Sequence, residues 1–181
     1  MTPTPAQDTW TTRRLLDWMQ THFETHDVHA PDVTAQMLLA HVLGVDPILL
    51  FTEPDRPAQT GERDQLRELV TRASNQEPVQ YIVGQAQFLG RPFMVDPSVL
   101  IPRTATESII QAVLDRQRGG VAGGAVPSIA WAADVGTGSG CLAVSLALHL
   151  ADTQVVATDL SPEAIEVARH NIDAHGVADR I

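Results

Sequence analysis

Asp134-Val135-Gly136-Thr137-Gly138-Ser139-Gly140 is the stretch that decides how this chain is read. Residues 129–135 before it form a short apolar run, suited to a parallel strand buried on both faces. Residues 141–150 after it are apolar and uninterrupted, the pattern of a buried helix. Residues 154–158 repeat the strand pattern. Residues 162–174 repeat the helix, with Ser161 as cap and Pro162 at the first position. Strand, helix, strand, helix in this order predicts a parallel, doubly wound α/β sheet.

Between a strand and a helix, glycines at 136, 138 and 140 have a physical use. They admit positive φ and let backbone approach a ligand closely. Asp159 follows Gly140 by nineteen residues and ends the second strand. A carboxylate there is placed to accept both ribose hydroxyls of an adenosine cofactor. Gly136, Thr137, Gly138, Ser139, Gly140 and Asp159 are therefore expected to bind cofactor, with Asp134 at the base of the loop. The alternative is a tight strand-to-helix turn with no ligand. Gly138-Ser139-Gly140-Cys141-Leu142-Ala143 also fits the dinucleotide fingerprint G-x-G-x-x-A. Charge separates the two cofactors. A pyrophosphate would meet the Asp134 carboxylate, whereas S-adenosylmethionine carries a sulfonium and an ammonium that a carboxylate attracts.

Outward from the loop, residues 9–75 read as helices. Leu15, Trp18, Met19 and Phe23 recur at helical spacing, and Asp8 or Thr9 could cap that helix. Pro31 opens a second helix that Gly44 would end. Asp46-Pro47 begins a short turn through Phe51. A third helix covers about residues 59–75, with Leu66, Leu69 and Val70 inward. Residues 76–103 change character. Tyr81-Ile82-Val83, Phe88-Leu89-Gly90, Phe93-Met94-Val95 and Val99-Leu100-Ile101 are expected to be extended, with a turn near Gly90-Arg91-Pro92. A helix follows over residues 104–118, and residues 119–124 are expected to form a flexible glycine-rich loop. The expected organisation is a helical domain over 1–75, an extended or hairpin linker over 76–103, and the first half of a cofactor domain over 104–181.

Composition limits the function. The chain has 181 residues, 44% of them hydrophobic, and a formal charge of −10 with arginine as its sole strong cation. Neither half is basic, so direct binding to nucleic acid is not expected. No apolar run reaches the roughly 20 residues of a membrane span. The polar start, residues 1–10, lacks the pattern of a signal peptide, so a cytoplasmic protein is expected. The single cysteine, Cys141, excludes an internal disulfide. It is expected to be a small buried apolar group, although a helix N-terminus can activate a thiol. His22, His26 and His29 lack ligand spacing, and no metal site is expected. Trp131 is expected in the core.

The loop 134–140 with Asp159 resembles motif I and the following acidic position of class I methyltransferases. Glu77-Pro78-Val79-Gln80-Tyr81-Ile82-Val83-Gly84, Phe88-Leu89-Gly90 and Val99-Leu100-Ile101-Pro102-Arg103-Thr104-Ala105-Thr106-Glu107 resemble something narrower, the HemK/PrmC family of release-factor glutamine methyltransferases. Thr104 and Ala105 depart from that family's usual Pro-Arg-Pro-Glu-Thr-Glu.

The resemblance implies a small helical bundle followed by a Rossmann-like domain. It implies methylation of the Gly-Gly-Gln glutamine of peptide chain release factors, with S-adenosylmethionine as donor. In the family, an Asn-Pro-Pro-Tyr motif holds the acceptor amide. These 181 residues contain none, so no catalytic residue is assigned. The chain is expected to be an N-terminal part, inactive as it stands, in which the helical domain docks the substrate. Two other readings stay open: a methyltransferase for another amide or amine, and an inactive protein that only binds a partner. Arg103 and Glu107 fit either an ordinary helix start or a place near the cofactor.

Overall fold

A computed structural model describes residues 9–119 and 128–181. The chain divides into two compact units, residues 1–83 and 84–181. The expected boundary at residue 75 thus moves to Val83. Residues 76–83 belong to the helical unit, and the stretch expected as a linker is split between the two.

The first unit holds α1 (Thr12–Thr25), α2 (Pro31–Leu43), a 3₁₀ turn (Pro47–Phe51), α3 (Thr60–Ser74) and the short α4 (Val79–Val83). Thr11, rather than Thr9, caps α1, its hydroxyl accepting the Arg14 amide; Asp8, the other expected cap, lies outside the described residues. Leu15, Met19 and Phe23 share one stripe of α1, since residues four apart stack on a face. They pack against Leu38 and Leu39 of α2 and Leu66 and Val70 of α3. Trp18, expected inward, is 45% exposed. It lies on the neighbouring row, stacked on His22 with Trp10 edge-on.

Tyr81-Ile82-Val83 is helical rather than extended. The Pro78 carbonyl accepts the amides of Tyr81 and Ile82. Val79 and Ile82, three apart, both turn inward. A five-residue helix is too short for its periodicity to outweigh β-branched composition.

In the second unit, β1 (Gln85–Phe88) and β2 (Arg91–Met94) form an antiparallel hairpin. Its turn is Leu89-Gly90, one residue earlier than expected, with φ of 49° and 70°. Positive φ at both turn residues gives the twist that favours two-residue hairpins. Leucine resists that conformation. Its amide is held by the Glu107 carboxylate at 2.8 Å. Phe88 and Phe93 are fully buried. The hairpin is therefore part of the core of this unit.

Val99-Leu100-Ile101 is not a strand. Asp96 folds the chain back by accepting the Ser98 amide on its side chain and the Val99 amide on its carbonyl. The helix α5 (Thr104–Arg118) follows. Of the loop expected over 119–124, residues 120–124 lie outside the described residues.

The strands β3 (Trp131–Val135) and β4 (Gln154–Thr158) pair in parallel, Trp131 opposite Gln154 and Val135 opposite Thr158. They alternate with α6 (Cys141–His149) and α7 (Pro162–Ala174), as the sequence predicts. This is the α/β alternation expected of residues 104–181, following a helical unit in sequence. Ala132 and Val155 face Val144 and Ala147 of α6 in one cluster with Phe88, Phe93, Ile110 and Ile172. The period of two puts Trp131 and Val135 on the opposite face. They are 69% and 84% exposed in this chain, so Trp131, expected in the core, lies on the face opposite α6.

Candidate functional site

The loop after β3 is tied down residue by residue. The amides of Gly136 and Thr137 both donate to the Thr158 carbonyl, at 2.8 and 2.9 Å. The Gly138 amide donates to Asp159 Oδ2 at 2.9 Å. The Gly140 amide closes the turn on the Thr137 carbonyl at 2.8 Å. Gly136, Gly138 and Gly140 have φ of 78°, 53° and 78°, a region that L side chains avoid. The parallel strands thus end at a loop fixed to both of them, at their carboxyl ends, where α/β sheets bind ligands.

The seven residues expected to bind cofactor separate into two groups here. Gly136, Gly138 and Asp159 are accessible, whereas Asp134, Thr137, Ser139 and Gly140 are buried. A Cβ on Gly136 or Gly138 would meet nothing within 4 Å, so the loop opens onto free space. A Cβ on Gly140 would instead lie 3.3 Å from Ala168 of α7. Gly140 therefore lets helix and loop pack closely. Asp134 Oδ2 accepts the Thr137 hydroxyl at 2.7 Å and the Ala143 amide at 3.1 Å. The carboxylate expected to face the cationic groups of a cofactor is engaged within the loop it shapes.

Asp159 accepts Gly138 on one oxygen and the Ser161 amide, at 3.1 Å, on the other. The Gly138 amide first, then those of Ser161 and Leu160, hold its carboxyl below the usual range against a small desolvation cost, so it stays ionised. Leu160, the next residue, is wholly exposed. Sequence reading passed over it because a leucine after a strand looks like ordinary core. It passed over Asn171 as well, whose only signal is a polar residue on the inner face of α7.

Arg103 and Glu107 come out differently from each other. Glu107 anchors the hairpin turn at Leu89. Arg103 occupies the N-cap of α5 without a side-chain capping bond. Cys141 is buried, and burial pushes its thiol above the ordinary value despite the helix start. The rings of His22 and His26 lie 4.1 Å apart, and His22 meets the Ser74 hydroxyl at 3.1 Å. Among the described residues no His, Cys, Asp or Glu cluster of metal-binding shape occurs, and no helix is long and apolar enough to cross a membrane.

A glycine loop between parallel strand and helix, with an ionised carboxylate on the adjoining strand, defines the second unit as class I methyltransferase in type. Comparison with known proteins agrees for both units. Residues 14–84 match the PrmC N-terminal domain. Residues 121–181 match the ribosomal protein L11 methyltransferase model, PrmA. The chain is 40% identical over 178 residues to the release factor glutamine methyltransferase of Chlorobaculum tepidum, covering 98% of this chain and 60% of that protein. It is 39% identical to that of Geobacter sulfurreducens, over 96% of this chain and 58% of that one. A bifunctional methyltransferase of Rickettsia bellii is 32% identical, with 31% of its length covered. Over the part it spans, the chain is similar to release factor glutamine methyltransferases. It spans about 60% of the length of the first two relatives.

Proposed function

We propose that this chain supplies the cofactor loop and the substrate-docking domain of a release factor glutamine N5-methyltransferase. The observation that carries it is the open loop at Gly136 and Gly138 beside the ionised Asp159. The ligand of that loop is S-adenosylmethionine, which brings a methyl group on a cationic sulfur. Asp159 takes the ribose hydroxyls, Leu160 covers the adenine, and the buried Asp134 favours a cation over the pyrophosphate of a dinucleotide. The relatives' name supplies the acceptor, the side-chain amide of a release-factor glutamine. The lone pair of an amide nitrogen is delocalised into its carbonyl, so holding acceptor and donor in line is the main task. No group that grips that amide is assigned to these residues. A release-factor substrate supports a cytoplasmic location.

The helical unit, residues 1–83, docks the release factor. Its own closed core supports this, as does its match to a domain found ahead of the catalytic part in that family. A second reading, transfer to another protein's amide or amine, draws on the PrmA match of the cofactor half. Removing residues 1–83 from a protein of the relatives' full length that carries this chain tests the assignment. Affinity for S-adenosylmethionine should persist while methylation of the release factor collapses. Equal loss of both, or methylation that survives the deletion, overturns it.

A further inference from the structure

Asn171 sits on the third turn of α7 with 2% of its surface exposed. Its carboxamide makes three hydrogen bonds, all to backbone. Oδ1 accepts the Met94 amide at 2.8 Å, and Nδ2 donates to the Met94 carbonyl at 3.0 Å and to the Ser139 carbonyl at 2.8 Å. Toward Met94 the side chain behaves as a strand would, offering one acceptor and one donor to the free edge of β2. The remaining N–H reaches the carbonyl between Gly138 and Gly140. Few side chains can do this. Aspartate lacks the donors, leucine lacks both functions, and glutamine is longer by a methylene.

We propose that Asn171 is a positioning residue for the cofactor loop, one that fixes the Ser139 peptide through its carboxamide and locks the loop to the hairpin. This rests on the reading of the loop as the S-adenosylmethionine site. The peptide group is planar, so holding the Ser139 carbonyl also sets the plane that leads into Gly140. Gly140 borders that plane and Gly138 lies one residue before it, and neither has a Cβ to restrict its own rotation. Without Asn171 the glycines that give the loop its shape also leave it loose. The same amide fixes Met94. The hairpin is then held at two places, at its turn by Glu107 and at its end by Asn171. Displacement of the hairpin is transmitted to the loop through one buried side chain.

The test compares Asn171→Ala and Asn171→Asp with Leu114→Ala, a core truncation on α5 with no bond to the loop, and with Asp159→Ala. Two quantities are measured on the chain, well below each variant's unfolding midpoint. The first is amide hydrogen exchange at Gly138, whose bond goes to Asp159 and not to Asn171. The second is affinity for S-adenosylhomocysteine by calorimetry. Both Asn171 variants should speed Gly138 exchange at least tenfold and weaken the ligand by a similar factor. Leu114→Ala, even at equal loss of thermal stability, should change each less than twofold. Asn171→Asp should regain protection as pH falls, because a protonated carboxyl recovers one donor. Unchanged Gly138 exchange in the Asn171 variants, or an effect matched by Leu114→Ala, overturns the proposal. If wild-type chain binds no ligand, or Asp159→Ala leaves affinity intact, the reading of the site fails, and the exchange result still decides the role of Asn171.

Discussion

The Gly138 amide and the Asp159 carboxylate meet at 2.9 Å across 21 residues of chain. One group does two jobs in this arrangement. The carboxylate that faces the open side of the loop also holds the loop in place. Asp159→Ala should therefore weaken S-adenosylmethionine by roughly tenfold or more, since one charge-assisted hydrogen bond contributes about 1.5 kcal/mol or above. Asp159→Asn keeps one acceptor oxygen and should fall between. Titration calorimetry on the three proteins checks the order. Equal affinities would remove Asp159 from the site.

Gly138 and Gly140 have the same residue type and similar φ, yet their surroundings predict different consequences. Alanine at 140 would press its Cβ against Ala168 at 3.3 Å in addition to adopting a φ of 78°. Alanine at 138 meets open space and suffers only the conformational penalty, about 1–2 kcal/mol. Gly140→Ala should lower the thermal midpoint of the second unit more. Gly138→Ala should lower cofactor affinity more, because its methyl group enters the space where ligand and backbone meet. Calorimetric melting and ligand titration on the two variants separate the effects.

Periodic segments were legible in the sequence, and short or shared ones were not. The helices α5 and α7 and the strand β4 fall where the apolar spacing puts them, because each is long enough, or bounded by Pro and Ser161, to leave one reading. The helix α4 was hidden because Val, Ile and Tyr favour strands and five residues carry barely more than one turn. Trp131, expected in the core and exposed in this chain, differs for another reason. An apolar run shows that a strand is apolar, not which of its faces a helix covers. Glycines and Asp159 could be named as a loop and its acid from spacing alone. Which of them are accessible depends on hydrogen bonds to Thr158 and Ala143, which the glycine spacing does not reveal.

Cys141 should be unreactive. Helix N-termini lower thiol pKa, yet burial outweighs this here and raises it. The thiolate fraction at neutral pH is correspondingly small, and the sulfur is inaccessible. Alkylation by iodoacetamide at pH 8 should run more than about tenfold slower than for an exposed model thiol. In denaturant the rate should become ordinary. Rapid labelling of the folded chain would contradict the packing described for α6.

Arg56 and Glu62 give the helical unit a pH dependence of its own. The Arg56 guanidinium donates to both Glu62 oxygens, at 3.1 and 2.6 Å, and the Gln59 amide donates to Oε2 at 2.7 Å. The Arg56 carbonyl in turn accepts the Thr12 amide at 3.0 Å. One ion pair thus joins the start of α3 to the start of α1 through the loop between residues 53 and 57. The Arg56 hydrogen bond, reinforced by the Gln59 amide against a desolvation penalty, holds the Glu62 carboxyl below its ordinary value. A depressed folded pKa means that the stabilisation is fully present above the unfolded carboxylate value. It is lost as pH falls through the folded one. Glu62→Gln keeps a residue able to cap the helix but removes the charge. It should cost about 1–2 kcal/mol at neutral pH, the lower figure reflecting a partly solvated arginine. Trp10 and Trp18 fluorescence in a Trp131→Phe background reports the helical unit alone. The midpoint gap between the chain with Glu62 and its Glu62→Gln variant should be widest near pH 7 and should close as pH drops below about 4. A gap that stays constant with pH would show that packing, and not the ion pair, sets the effect of the substitution.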